Sequence, residues 1–328
     1  MTKVTPCKIL VTGGAGFIGS HLVEALVKEG HQIKVIDDFS TGQKCNLDAV
    51  KDIVHIVKGS VMQRQLMKKL IKDVDVIYHL AASVGVKYVI EHPLKSLETN
   101  IKGTENVLEF AAECGNKKVI IASTSEIYGK NDRVPLREED DRILGSTHIA
   151  RWGYSDSKAI DELLALAYHR EKGLPVVIAR FFNICGPRQV GTYGMVLPRF
   201  VNQAMKNEPI TVFGTGNQSR CFCYVGDLVK VLKKLPFIPS TVGQIYNLGS
   251  NDEIKIRDLA KKIIEVTGSK SHIDFIPYEK AYQTGFEDMH RRVPCIDKIN
   301  QLTGFKPEVK LEEIIHKVME YSKMRSLK

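Results

Sequence analysis

The chain has 328 residues, 43% of them apolar and 26% charged, enough to bury a sizeable core. No run of about 18 apolar residues occurs, so no membrane-spanning helix is expected. The net charge of +9 comes from dispersed rather than clustered Lys and Arg, which argues against a nucleic-acid surface and suits a field that draws in a small anionic substrate. Apolar runs at 8–12, 32–36, 75–80, 118–122 and 175–181 predict strands, and amphipathic segments at 17–29, 93–114 and 154–172 predict helices between them. Such alternation predicts an α/β chain of Rossmann type, a doubly wound parallel sheet with helices on both faces. Beyond residue 183 Gly, Pro and Asn become frequent, and a smaller mixed α/β substrate-binding region is expected there. The expected division is 1–182 for the dinucleotide-binding part, with 221–250 returning to it, and 183–220 plus 251–328 for the substrate. The first residues run straight into a strand without a separate apolar signal segment, so a cytoplasmic protein is expected. The seven cysteines include no CxxC pair and no Cys/His ligand spacing, so free thiols and no metal site are expected.

The segment VTGGAGFIGSHL places Gly13, Gly16 and Gly19 between a strand and a helix, with Phe17 and Ile18 opening that helix. Glycine suits a tight turn against a pyrophosphate, and a helix N-terminus offers free N–H groups to the phosphates. Asp37 ends the next strand. A carboxylate there can accept hydrogen bonds from the adenosine ribose and repels a 2′-phosphate, so NAD is expected rather than NADP.

Tyr154 and Lys158 stand four residues apart, on one face of the expected helix. A nearby ammonium favours phenolate over phenol, so the expectation is a lowered Tyr154 pKa and a base able to deprotonate a sugar hydroxyl. The strand at 118–122 leads to Thr124, Ser125 and Glu126, which should meet the ligand beyond the carboxyl ends of the sheet. Thr124 and Ser125 also suit a helix cap.

These motifs resemble the extended short-chain dehydrogenase/reductase family in its nucleotide-sugar epimerase, dehydratase and decarboxylase branch. The resemblance spans nearly the whole chain. It takes in HLAA at 79–82, with Leu80 and Ala81 beside the cofactor, Asn100, FFNICGPR at 181–188 and GTGNQSRCFCYVGDLV at 214–229. It implies that Asn100, Tyr154 and Lys158 contact the cofactor, that Asn183 and Arg220 hold a nucleotide diphosphate, that Arg188 and Arg292 contact the substrate, and that 93–114 and 154–172 pair in a homodimer as a four-helix bundle. One departure is Gly59-Ser60-Val61, where the family often carries an acidic residue near the adenine.

Within the branch the chain is most similar to UDP-glucuronate decarboxylases, through Thr124-Ser125-Glu126, RWGYSDSK at 151–158 and GFEDMHRRVP at 285–294. Arg292 falls on that group's active-site arginine. All three reactions of the branch begin with oxidation at carbon 4 of the sugar. Decarboxylation wants a cation for a carboxylate, which Arg292 could supply. Dehydration wants a base near carbon 5, which Glu126 could supply, and epimerisation needs neither. Decarboxylation of UDP-glucuronate is expected first, with 4-epimerisation and 4,6-dehydration as alternatives. A catalytically dead NAD sensor is the alternative of another class, and the intact Tyr154/Lys158 pair argues against it.

Overall fold

The computed structural model of the chain describes residues 5–191, 195–281 and 287–326. Parts of the loop-rich stretch after 186 and of the 285–294 motif lie outside the described residues. The first half runs β1 (Lys8–Thr12), α1 (Phe17–Lys28), β2 (Gln32–Asp37), β3 (His55–Lys58), α2 (Arg64–Lys72), β4 (Val76–His79), α3 (Val86–Glu91), α4 (Pro93–Glu113), β5 (Lys118–Thr124), α5 (Arg151–Lys172) and β6 (Val176–Phe181). The second half runs β7 (Ile184–Cys185), α6 (Val196–Met205), β8 (Ile210–Phe213), β9 (Ser219–Cys221), β10 (Cys223–Tyr224), α7 (Val225–Leu232), β11 (Gln244–Leu248), β12 (Glu253–Lys255), α8 (Ile256–Thr267), β13 (Ile273–Ile276), α9 (Tyr278–Ala281), α10 (Asp297–Thr303) and α11 (Leu311–Ser326).

Seven parallel strands form one sheet in the order β11-β6-β5-β4-β1-β2-β3. Side chains alternate between its faces, as the two-residue period of a strand requires. Ile9, Val11, Val35, Tyr78, Ile120 and Val177 join one apolar cluster, with Leu22, Leu26 and Leu228 from α1 and α7. Leu10, Ile36, Ile77, Val119, Ile121 and Ile178 join another on the opposite face, with Met67, Leu108 and Ala165 from α2, α4 and α5. Both faces are therefore covered, which is why the strands read as nearly continuous apolar runs. A third cluster lies in the C-terminal half, where α6, α8 and α11 pack with the β8–β13 pair through Phe200, Val212, Ile263 and Ile315.

The chain builds outward from β1 to β2 and β3, then crosses back to β4 on the other side of β1. The strand order reverses between β1 and β4, and open sheets of this kind bind ligands at that switch point, beyond the strand carboxyl ends. Thr12, Asp37, His79, Thr124 and Phe181 stand at those ends. The long helix expected from Tyr154 starts three residues earlier, at Arg151, because residues 146–150 wind into turns that feed it: Trp152 N donates to Ile149 O and Gly153 N to Ala150 O. All seven cysteines are free, and Cys185, Cys221, Cys223 and Cys295 are buried. Among the described residues no helix is long and apolar enough to cross a membrane.

A buried ion pair ties α5 to the sheet under the site. Arg180 of β6 donates from Nε and Nη2 to both oxygens of Glu162, at 2.9 and 2.8 Å, and Ser123 Oγ donates to Glu162 Oε1 at 2.6 Å. Removing one partner of such a pair leaves an uncompensated buried charge. Glu162→Gln should destabilise the fold by about 3–5 kcal/mol. Urea unfolding followed by circular dichroism should show a lower midpoint at unchanged slope; an unchanged midpoint would mean that the pair does not hold α5 in place.

Candidate functional site

One large cavity opens at the switch point and takes its walls from both halves of the chain. Its cofactor end is the turn between β1 and α1. Gly13 N donates to Ile36 O at 2.8 Å and Gly16 N to Gly13 O at 3.1 Å, closing a tight loop. Gly13 has φ +69°, and a Cβ there would lie 2.8 Å from Ala81 N; a Cβ on Gly19 would run into the Gly13 carbonyl. The glycines thus let the loop, the helix and the 80–82 segment meet. Gly16 caps α1 without a side-chain hydrogen bond, so the helix presents its first N–H groups to the cavity, beside Phe17 and Ile18. A dinucleotide pyrophosphate fits this cradle.

Asp37 lines the same end. Its carboxylate accepts from Ala15 N at 2.9 Å and Phe39 N at 2.8 Å, and so belongs to the loop as well as to the wall. Burial raises its pKa, while the two amide hydrogen bonds pull the other way. Gly59, Ser60, Val61, Leu80 and Ala81 also line the cavity. Asn100 does not. It lies behind the 81–85 loop, accepts from Ser83 N at 2.8 Å and donates to Ser157 Oγ at 3.0 Å, so its contacts hold the loop and α5 together.

At the reaction end Thr124, Ser125, Glu126, Tyr154, Arg220 and Arg292 share the wall. Thr124 ends β5 and caps the short turn that follows, accepting from Glu126 N at 3.2 Å; its side chain is also hydrogen-bonded to Tyr154. Arg292 reaches the site because its segment is pinned on both sides: Ser219 N donates to His290 O, and Leu136 N to Val293 O. Arg292 Nη1 donates to Glu126 Oε1 at 2.7 Å and to Ser125 Oγ at 3.2 Å, while its buried Nε has no partner among the described residues. Burial lowers the Arg292 pKa to about 10 against the pull of Glu126, so the side chain is a cation at neutral pH. For Glu126 burial works upward, but Arg292 and Arg151 outweigh it and hold the carboxyl below its ordinary range. Glu126 is therefore an anion and an acceptor, not a proton donor.

Two groups that sequence reasoning missed complete this wall. Arg151, in the first turn of α5, places Nη2 3.3 Å from Glu126 Oε2 and 3.1 Å from Asp288 Oδ1. Asp288 also accepts from Arg220 Nη2 at 3.0 Å and from Tyr278 OH at 3.0 Å. Arg220, Arg151 and Arg292 hold Asp288 below its ordinary pKa although burial works upward. Three guanidiniums face two carboxylates, leaving one positive charge in excess for an anionic ligand. Both missed residues sit inside motifs that carry the family resemblance, RWGYSDSK and GFEDMHRRVP; that membership was the available signal.

Asn183 lines the cavity with φ +41°, a strained conformation for a non-glycine residue, and its buried Nδ2 has no partner among the described residues. Arg188 is elsewhere. Its Nη2 is bonded to Glu24 of α1 at 2.6 Å and it does not line the cavity, which corrects its placement among the substrate-binding residues. Lys158 lies beneath Tyr154, nearly fully buried, with Nζ 2.7 Å from Asp161 Oδ2. The lowered phenol expected from the Tyr154/Lys158 spacing is not what this arrangement gives. Burial raises the Tyr154 pKa, Glu126 and Asp161 add to the rise, and the Lys158 charge is spent on Asp161.

The family model described as NAD dependent epimerase/dehydratase family matches residues 9–249. A UDP-N-acetyl-alpha-D-glucosaminuronate decarboxylase of Bacillus cytotoxicus is 41% identical over 316 residues, which cover 96% of this chain and 97% of that protein. UDP-glucuronic acid decarboxylase 1 of Danio rerio is 36% identical, over 96% of this chain and 72% of its own length. Among solved structures, a Bacillus cereus UDP-glucuronic acid 4-epimerase in complex with UDP-glucuronic acid and NAD is 28% identical with a TM-score of 0.87, covering 97% of this chain and 99% of that one.

The Asp37 geometry gives a direct expectation. Asp37→Ala should weaken NAD binding by about tenfold or more, the scale of a lost hydrogen bond to a charged group. Titration calorimetry tests this; a wild-type chain that binds NADP more tightly than NAD would refute the role given to this carboxylate.

Proposed function

The chain belongs to the NAD-dependent epimerase/dehydratase family, and within it we propose that it is a UDP-hexuronate decarboxylase working through a 4-keto sugar. The observation that carries this reading is the position of Arg292, a buried cation bonded to Ser125 and Glu126 on the wall that also holds Tyr154. A sugar carboxylate can take the unsatisfied Arg292 Nε as a donor. Asn183 and Arg220 supply donors for the diphosphate, and Gly13, Gly16, Gly19 and Asp37 with Leu80 and Ala81 form the cofactor cradle.

NAD held by this cradle would supply the hydride acceptor and donor for carbon 4. Tyr154 takes the proton of the 4-hydroxyl once its own proton has passed to solvent and the phenolate has formed, with Thr124 beside the phenol and Lys158 one turn along α5. The ketone makes the carbon-5 carboxylate a β-keto acid. Arg292 orients that carboxylate so that its bond to carbon 5 stands across the ketone plane, where carbon dioxide can leave. Glu126, kept ionised by its arginines, acts as an acceptor that with Ser125 positions a water to protonate carbon 5.

UDP-glucuronate is the substrate expected from the sequence. A second reading, a 2-acetamido UDP-hexuronate, is favoured by the higher identity to the Bacillus cytotoxicus relative than to the Danio rerio one. Both sugars test the reaction alike when labelled at carbon 6, and the ratio of their kcat/KM values separates them. The label should leave as carbon dioxide, with a UDP-pentose as product. A label retained in the 4-epimer of the substrate would make the enzyme an epimerase and overturn the roles of Arg292 and Glu126.

We further propose a homodimer joined through α4 and α5. These helices pack on one another yet leave Leu94, Ile160 and Leu163 exposed, Leu94 at 70% and Leu163 at 61%. Exposed apolar side chains gathered on paired helices suit a partner surface. A reducing compartment, the cytoplasm, suits the seven free thiols. Light scattering at micromolar concentration should give a dimer mass, and Leu163→Glu should shift it toward monomer; a wild-type monomer would count against this interface.

A further inference from the structure

Asp161, one turn below the Tyr154/Lys158 pair on α5, has no part in the reaction as described so far. It is fully buried, and it contacts Lys158 Nζ at 2.7 Å. A buried ammonium needs a counter-charge, because the desolvation of an isolated ion is not recovered otherwise. Asp161 supplies that counter-charge.

A chain of hydrogen bonds leads to the same carboxylate from the sheet. Ala81 N donates to Thr12 Oγ1 at 3.2 Å, Thr12 Oγ1 lies 2.9 Å from His79 Nδ1, His79 Nε2 lies 3.1 Å from Thr104 Oγ1, and the Thr104 hydroxyl pulls the Asp161 pKa down, while the buried Asp161 Oδ1 has no hydrogen-bond partner among the described residues. Burial, with Lys158 adding to it, holds the His79 pKa down to about 3, so the imidazole is neutral and carries one N–H. The amide at one end can only donate and a carboxylate at the other can only accept. The bonds therefore have one consistent direction, with the proton on His79 Nε2 and every hydroxyl pointing toward Asp161. Burial raises the Asp161 pKa, while Lys158 and Thr104 pull it down and so favour the anion, and the row begins at Ala81, on the cofactor wall.

We propose that Asp161 is a positioning residue for the Tyr154/Lys158 pair: it pins the Lys158 ammonium beneath the cavity and, by neutralising that charge, sets how readily Tyr154 ionises. This rests on the reading of Tyr154 as the base that deprotonates the sugar hydroxyl. The charged and titratable groups around the assembly are His79 from β4, Glu162 from α5, and Glu126 and Arg292 on the cavity side of Tyr154. Among them Asp161 is the carboxylate in contact with Lys158. Its loss would leave the ammonium, one helical turn along α5 from Tyr154, without a counter-ion.

The test is Asp161→Asn, which keeps the size and removes the charge. The NAD-loaded protein is labelled with 13C at the tyrosine Cζ, the Tyr154 resonance is assigned with Tyr154→Phe, and its titration is followed by NMR. The phenol of Asp161→Asn should titrate at a pH lower by about one unit, the scale of a charge interaction over one helical turn. The pH dependence of kcat should move in the same direction. If Asp161→Asn does not fold, Thr104→Val removes a single donor to Asp161 and should shift the phenol in the same direction by less. A variant that folds, loses thermal stability and leaves the Tyr154 titration where it is in the wild type would reduce Asp161 to a structural ion pair and overturn the proposal. The NMR readout does not depend on turnover. A shifted phenol in a protein that leaves carbon 6 on every UDP-hexuronate would sink the decarboxylase reading and keep this one.

Discussion

Charge buried out of water must be paired, and this constraint organises the chain around its cavity. Lys158 meets Asp161, Arg180 meets Glu162, Arg292 meets Glu126, and Asp288 meets both Arg151 and Arg220. Three of these pairings include a residue of α5, so this helix fixes the base of the site. It packs against α4 on one side and β5 on the other, and it carries the reacting phenol between two ion pairs. Removing any one of these charges would leave its partner unpaired out of water.

The same pairing changes what a tyrosine four residues from a lysine means. Spacing on a helix says that two side chains share a face; it does not say where the ammonium spends its charge. Here Asp161 takes it, and burial is left as the leading influence on Tyr154, in the direction opposite to that of a free cation. The phenol is thus protonated in this arrangement, and its readiness to ionise is a property of the assembly of Tyr154, Lys158 and Asp161, not of the first two alone. Glu126 shows the converse. Its burial would favour the neutral acid, yet two guanidiniums keep it ionised, which makes it an acceptor.

The cavity belongs to both halves of the chain. The sheet supplies the cofactor cradle and the strand-end residues Thr124 and Asp37, while Arg220, Asp288 and Arg292 come from segments that cross back over the sheet's carboxyl edge. Arg292 is held there by backbone hydrogen bonds at His290 and Val293 and not by a helix or strand of its own. This division has a chemical sense: the dinucleotide end is built from backbone turns, and the sugar end from side-chain charges.

Much of this was legible in the sequence. β1, β2, β4, β5 and β6 follow from apolar runs bounded by turns, because a strand buried on both faces needs little more than its own composition to be recognised, whereas the half-exposed edge strand β3 gave no such run. β11 (Gln244–Leu248) stands at the other edge of the sheet, beside β6. Gly13 and Gly19 were legible because their lack of a Cβ is a local requirement, and the Tyr154/Lys158 spacing because a helix repeats every 3.6 residues. What tertiary structure alone decided is which charges meet. Arg188 looked like a substrate contact until Glu24, 164 residues earlier, claimed it. Asn100 looked like a cofactor contact and instead braces a loop. Motif membership marked Arg151 and Asp288 but not what they meet, and Asp161 carried no signal at all, because an electrostatic partner is set by distance in space and by burial, neither of which is written in the spacing of residues along a chain.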